Sequence, residues 1–347
     1  MSTSMETQLR TDYTSQVPQD VGSCSPGSDT HTVEDGEISS LQFRGDDATI
    51  DMGDKGPGWA DTALGGAMEG NVLHLNRITP EMLKELSPSN LNAFMDTWMA
   101  GRSFDVSVNG RSTELNGATA IAAMAWASGD SVAFAKAFAA APEHVLEYLT
   151  GNGARVLTAE NMALIMREMG ASADYWNGKQ AGYETGELDA LGSLVQIYLE
   201  KNAGDDPQAV VDAVEQLISE VSCSMEFTPE NAGAFNGVLI SGMLKHFDAI
   251  NASDATRNSI VNGLAGFTGT IAAGFGPWGV AAAAGISALN SIYQGANPPR
   301  DFEEVANRVQ AEIQLQWLQH PPEGWSSTDV GTAIDWTNTT ILANGQR

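Results

Sequence analysis

Between Arg257 and Arg300 the chain carries no Asp, Glu, Lys or Arg, although 18% of its residues are charged. A run of that length without charge is hard to keep in water. It is also dense in small residues. Gly263, Gly266, Gly269 and Gly274 precede Gly276-Pro277, and Ala281 to Ala284 and Gly285 follow it. Gly-Pro stops a helix and starts a turn. The stretch therefore divides into two arms of about 17 residues, or roughly 25 Å each at 1.5 Å per residue. Glycine weakens a helix by about 1 kcal/mol against alanine, and is worth that cost where two backbones pack closely. The expectation is a tight helical hairpin over 258–299, with Pro277 at its turn and Trp278 opening the second arm.

A helix that is apolar on most sides is either buried in a large protein or inserted in a membrane. The leading reading makes the hairpin a central core element, because a domain needs a centre and each arm is short for a bilayer. The alternative shelters the hairpin until a trigger such as low pH drives it into a membrane. A third setting is an exposed oligomerisation surface. Gly263, Gly266, Gly269, Gly274, Pro277, Trp278 and Gly285 define the hairpin in all of them.

Helix start signals recur along the rest of the chain. Thr79-Pro80-Glu81, Ser87-Pro88-Ser89, Asp206-Pro207-Gln208 and Thr228-Pro229-Glu230 each place a capping side chain before a first-turn proline. Ala141-Pro142 has the proline alone, and Thr158-Ala159-Glu160 the cap alone. Apolar residues follow at helical spacing. The faces are Leu91, Phe94, Met95, Trp98 and Met99; Leu188, Leu191, Leu194, Val195 and Tyr198; Val210, Val214, Leu217, Ile218 and Val221; Phe235, Leu239, Met243, Phe247 and Ile250; and Phe302, Val305, Val309 and Ile313. Two short segments alternate instead. Phe104, Val106 and Val108 lead into Asn109-Gly110, a type I′ hairpin signal, and residues 39–53 read as a small hairpin around Gly45-Asp46. The fold class expected is mainly α: a multi-helix bundle around the Gly/Ala-rich hairpin, with one or two small β-hairpins.

Residues 1–60 read as a disordered or loosely packed acidic arm, 54–70 including a Gly-rich linker. Residues 61–320 read as the helical domain. Pro321 and Pro322 end the last long helix, leaving 321–347 as a tail that packs back through Trp325 and Trp336. The N-terminus has no apolar segment of the kind a Sec signal peptide needs, and no constitutive transmembrane span is expected. Cys24 and Cys223 lie far apart and read as two unrelated thiols, one bridge being the alternative.

The chain carries 44 acidic against 17 basic residues, a formal net charge of -27. Such a chain repels phosphate backbones, and no dense basic patch offsets this, so nucleic acid is excluded as a partner. The phosphate-loop, zinc-protease, nucleophile-elbow and dinucleotide motifs are absent from the sequence. His31, His74, His144, His246 and His320 have no metal-ligand partner at helical spacing. His246 reads as a core-edge histidine. Asp46, Asp47, Asp51 and Asp54 do not follow the EF-hand order and read as solvated turn carboxylates. No metal or cofactor is expected.

Trp176-Asn177-Gly178 is followed by Tyr183-Glu184-Thr185-Gly186-Glu187. Trp176 with Gly178, and Tyr183 with Glu187, look like a W-x-G turn and a Y-x-x-x-E export signal. With the charge-poor hairpin and helical body, this loosely resembles actinobacterial proteins of type VII (ESX-like) secretion and polymorphic toxin systems. That family separates the two elements by a helix, whereas a few residues separate them here. The resemblance implies a bacterial protein, cytoplasmic or exported without a cleaved signal, acting on a partner or an envelope.

The leading expectation is thus a non-enzymatic helical interaction or effector protein of a bacterial secretion or toxin-related system, with a protein partner and an open oligomeric state. The second is a membrane-inserting, pore-forming-like effector using 258–299. The third, with least behind it, is a hydrolase with an unrecognised site.

Overall fold

Proline has no N–H to donate and a φ fixed near −65°, so it fits the first turn of a helix. The computed structural model, which describes residues 40–45, 48–53, 57–128, 131–140, 146, 157–171, 186–294 and 301–345, follows this rule. Its helices are α1 (Gly58–Ala63), α2 (Pro80–Glu85), α3 (Pro88–Phe94), α4 (Gly117–Ala127), α5 (Ser131–Ala140), α6 (Ala159–Ala171), α7 (Gly186–Asn202), α8 (Pro207–Ser224), α9 (Pro229–Ala249), α10 (Asp254–Gly274), α11 (Gly276–Gln294), α12 (Phe302–Gln319) and α13 (Ser327–Asn344). Four of them begin on the expected prolines. Asp206 accepts from the Gln208 and Ala209 amides and Thr228 from that of Asn231, whereas Thr79 makes no side-chain cap bond. Ala141-Pro142 lies outside the described residues.

The strands are β1 (Leu41–Phe43), β2 (Thr49–Asp51), β3 (Met68–Glu69), β4 (Val72–His74), β5 (Ser103–Val108) and β6 (Arg111–Asn116). They form two antiparallel sheets, in the orders β1-β5-β6 and β2-β4-β3. Asn109 and Gly110 sit at φ 48° and 81°, the two positive values a type I′ turn needs, and join β5 to β6. The hairpin expected within residues 39–53 is corrected. Leu41–Phe43 pairs with Val106–Val108, and Thr49–Asp51 pairs with Val72–His74. Both strands gain more from distant partners, since Leu41, Phe43 and Ile50 are buried there and Phe43 meets Phe104 edge-on at 5.7 Å. The Gly-rich stretch is also structured where described: α1 and the turn after it bury Ala60, Leu64 and Ala67.

The amphipathic faces turn inward as their spacing requires. Val210, Val214, Leu217, Ile218 and Val221 of α8 are fully buried, as are Leu194 and Val195 of α7. α3 continues into a wider π turn over Met95–Met99, burying Phe94, Met95 and Met99 while Trp98 is half-buried.

The uncharged stretch does form two helices that meet at Gly276, whose φ of 56° favours glycine. The arms are unequal. α11 buries Trp278, Ala281, Ala282, Ile286, Leu289 and Ile292, whereas α10 buries one side and exposes Ser259, Asn262, Gly266 and Gly269. Close approach also falls elsewhere than the glycine run implied. A Cβ on Gly266, Gly269 or Gly274 would meet nothing within 4 Å. One on Gly263 would lie 2.9 Å from Val211 Cγ2, and one on Gly285 2.8 Å from Asn236 Oδ1. Gly279 packs on the Ile271 carbonyl and Gly242 on the Val195 side chain.

The C-terminal segment is an 18-residue helix, α13, beyond the expected last helix. Ser326 and Asp329 cap it reciprocally: the Asp329 amide donates to Ser326 Oγ, and the Ser326 amide donates to Asp329 Oδ2 at 2.8 Å. It packs along α9, where Gly233 and Gly237 admit it. A Cβ on Gly233 would run into the Ala333 carbonyl, and one on Gly237 into Thr340. Cys223 in α8 is disulfide-bonded, which corrects the reading of two unrelated thiols. The chain's other cysteine, Cys24, lies outside the described residues.

Candidate functional site

At the end of α12 the sequence Ile313-Gln-Leu-Gln-Trp-Leu-Gln-His-Pro-Pro322 contains no Asp, Glu, Lys or Arg. Helical geometry at 100° per residue sends Trp317 to one side and Ala311, Leu315 and Leu318 to the other. The inward side is anchored. Trp317 is 1% exposed and meets Trp325 edge-on at 5.6 Å. Trp325 stacks on Phe227 at 5.1 Å and 18°, and Phe227 meets Trp278 at 5.3 Å. Trp278 Nε1 donates to the Met225 carbonyl at 3.2 Å. This aromatic chain ties the end of α12 to the starts of α9 and α11.

The outward side is open. Leu315 is 55% and Leu318 61% exposed, and they are the exposed large hydrophobic residues among those described. Ala311, one turn before Leu315, is exposed as well. Asp301, Glu303, Glu323 and Asp335 are exposed and Glu312 half-buried. Between residues 301 and 345 the chain has one Lys or Arg, Arg308, and it is ion-paired with Glu304. Leu315 and Leu318 thus form a small exposed apolar strip on a helix whose opposite side is fixed in the core.

Two interior features bear on chemistry. His246 is fully buried on α9, and neither ring nitrogen makes a well-formed hydrogen bond. Burial pushes its imidazole below the ordinary value, against Glu200 and the Gly204 backbone, which pull it up. It is thus deeper than the core-edge position its spacing indicated. The second feature is a cavity of about 20 Å³ between Met166, Leu191, Met225, Phe235 and Val238. Asn231 also lines it, and it has room for about one water.

The other residues marked in the sequence do not converge. His74 lies 3.4 Å from Glu69 at the surface and His320 is exposed. His31 and His144 lie outside the described residues. Asp51 accepts from the Gly53 amide at 2.9 Å, while Asp46, Asp47 and Asp54 are outside them. Trp176, Gly178 and Tyr183 also fall outside, and Glu187 is in the first turn of α7 with its side chain undescribed. Among the described residues no group of His, Cys, Asp or Glu is placed to hold a metal ion. Pro277 is exposed at the α10–α11 turn while Trp278 is buried beside it. The Leu315–Leu318 strip escaped the sequence reading, which followed the buried face of α12 and not its reverse. The signal was there: two leucines at i and i+3, out of phase with Val305, Val309 and Ile313.

No family model, curated protein or solved structure matches this chain. Nothing therefore ties it to a secretion or toxin system, which corrects that placement. Membrane insertion is corrected too: among the described residues no helix is long and apolar enough to cross a membrane. α11 buries most of its apolar residues, Trp278, Ala281, Ala282, Ile286, Leu289 and Ile292 among them. The chain is mainly helical, with two small antiparallel sheets.

Proposed function

We propose that this protein works by binding another protein through the outer face of α12, and not by catalysing a reaction. The observation that carries this reading is the pair Leu315 and Leu318, left in solvent on a helix whose other side is fixed by Trp317. An apolar strip held rigid before binding loses little conformational entropy on docking. Its uncharged glutamine neighbours cost less to desolvate than carboxylates would. His246 is fully buried and so is not open to a substrate from solvent.

The test is competition. A complex isolated from the native source on tagged protein should be displaced by added wild-type chain and not by the Leu315→Gln/Leu318→Gln double variant. Equal displacement by both proteins, or turnover in a broad hydrolase screen, would refute the reading.

A further inference from the structure

We propose that the Cys223 disulfide straps the N-terminal segment across the end of α8, where residues 21–28 cover Met225, Phe227 and Trp325, and that a dithiol releases this strap while the helical body stays folded. The bond comes first. Cys223 is exposed in the last turn of α8 and is disulfide-bonded. The chain's only other cysteine is Cys24, so a bond within one chain has no other place to go. Residues 24 and 40, where the described chain begins, are 16 positions apart, a reach of up to about 55 Å when extended. The link thus gets to α8 with β1 still paired to β5.

The surroundings of Cys223 fit a strap. Met225, two residues on, and Phe227, two further, are half-buried apolar side chains, and the half-buried Trp325 stacks on Phe227 at 5.1 Å. A disulfide holds its two Cα atoms about 6 Å apart, so the residues beside Cys24 are brought within a few residues' length of this patch. Residues 21–28, Val-Gly-Ser-Cys-Ser-Pro-Gly-Ser, carry no charge in a strongly acidic chain. They can lie on apolar side chains without burying a carboxylate, and Val21 and Pro26 add apolar area to the contact. The helix does not depend on the bond. Its end is closed by the Met225 amide, which donates to the Val221 carbonyl. Its buried face, Val214, Leu217, Ile218 and Val221, lies opposite Cys223 at 100° per residue. An exposed disulfide is open to thiols. Exchange with a dithiol runs through a mixed disulfide: the reductant gives up two electrons and two protons and becomes its own disulfide, and Cys24 and Cys223 become thiols. The strapped form therefore belongs to oxidising surroundings and the released form to thiol-rich ones.

The experiment compares the oxidised full chain with Cys24→Ser/Cys223→Ser, which has no cysteine left. Both are exposed to dilute hydrogen peroxide, and sulfoxide at Met225 and Met243 is timed by mass spectrometry of the digest, since thioether oxidation follows exposure. Met243 is buried in α9 and reports on the body. A digest of oxidised wild type made without reductant should join the Cys24 peptide to the Cys223 peptide. Met225 should oxidise several-fold faster in the double variant, while Met243 stays slow in both. Wild type treated with dithiothreitol, alkylated and desalted should behave as the double variant does. A bond between two chains, seen as a covalent dimer that reductant dissolves, would overturn the proposal. Equal Met225 rates with the bond inside one chain would also overturn it, because the tether would then cover nothing. Faster oxidation of Met243 in the double variant would show that the body needs the bond, and would overturn release of the strap alone.

Discussion

Thr337 Oγ1 lies 3.1 Å from the Gly233 carbonyl on α9 and 2.9 Å from the Ala333 carbonyl on its own helix. Its single proton is thus offered both to the neighbouring backbone and to its own. Such a contact needs the two helix backbones close together, and Gly233 and Gly237, one turn apart, are what allow it.

Gly233→Val or Gly237→Val should therefore cost about 1–3 kcal/mol each through overpacking, read as a lower urea midpoint. The contrasting substitution is Gly266→Ala on the open side of α10, where an added methyl meets nothing within 4 Å. It should raise stability by up to about 1 kcal/mol, the helix-propensity difference. Similar losses at all three positions would mean that α10 packs as tightly as α9.

These glycines also show what could be read in advance. The helix starts at Pro80, Pro88, Pro207 and Pro229 were legible because proline chemistry is local. The β5–β6 turn was legible because Asn109-Gly110 sets its own φ values. The split at Gly276 followed from Gly-Pro. What depended on distant partners was not legible. Gly266 and Gly269 look like packing glycines in sequence and face solvent, whereas Gly233 and Gly237 sit in a less conspicuous helix and meet α13. Leu41–Phe43 went to β5 and not to its sequence neighbour, for a distance reason of the same kind. The α13 start was missed although Ser326 and Asp329 carry the spacing of a capping box. The exposed Leu315–Leu318 strip was hidden because a hydrophobic count finds the buried side of α12 first.

Tyr198 is buried in α7, and its hydroxyl donates to the Ala213 carbonyl at 2.9 Å. Burial first, and Glu220 second, push its phenol up to about 12. Tyr198→Phe should cost about 1 kcal/mol, the net worth of one such bond, in urea unfolding at neutral pH. It should also remove one late-ionising phenol from an alkaline absorbance titration of the folded chain. A variant as stable as wild type would show that the bond contributes nothing.

Cys223 predicts a simple thiol count. The chain has two cysteines, and Cys223 is disulfide-bonded. Protein made under oxidising conditions and unfolded without reductant should give no thiol colour with a disulfide reagent. After reduction it should give two thiols per chain. Two thiols before reduction would refute the bond.

His246 predicts the direction of acid sensitivity. Its pKa in the folded chain lies below the ordinary value because burial disfavours the cation, while in the unfolded chain it titrates near 6.5. As pH falls through about 6.5 the unfolded state takes up the proton first, so stability drops, and the drop ends below the folded pKa. Glu220 acts in the opposite sense, because burial and then Glu160 hold its carboxyl above the usual range. The absolute pH slope therefore mixes both groups, and the informative quantity is a difference. His246→Leu removes the imidazole and leaves Glu220 in place. Between pH 7.5 and pH 5.5, values that bracket the unfolded histidine, wild type should lose more stability to urea than this variant does. Parallel losses in the two proteins would show that His246 reaches a proton donor or water without unfolding.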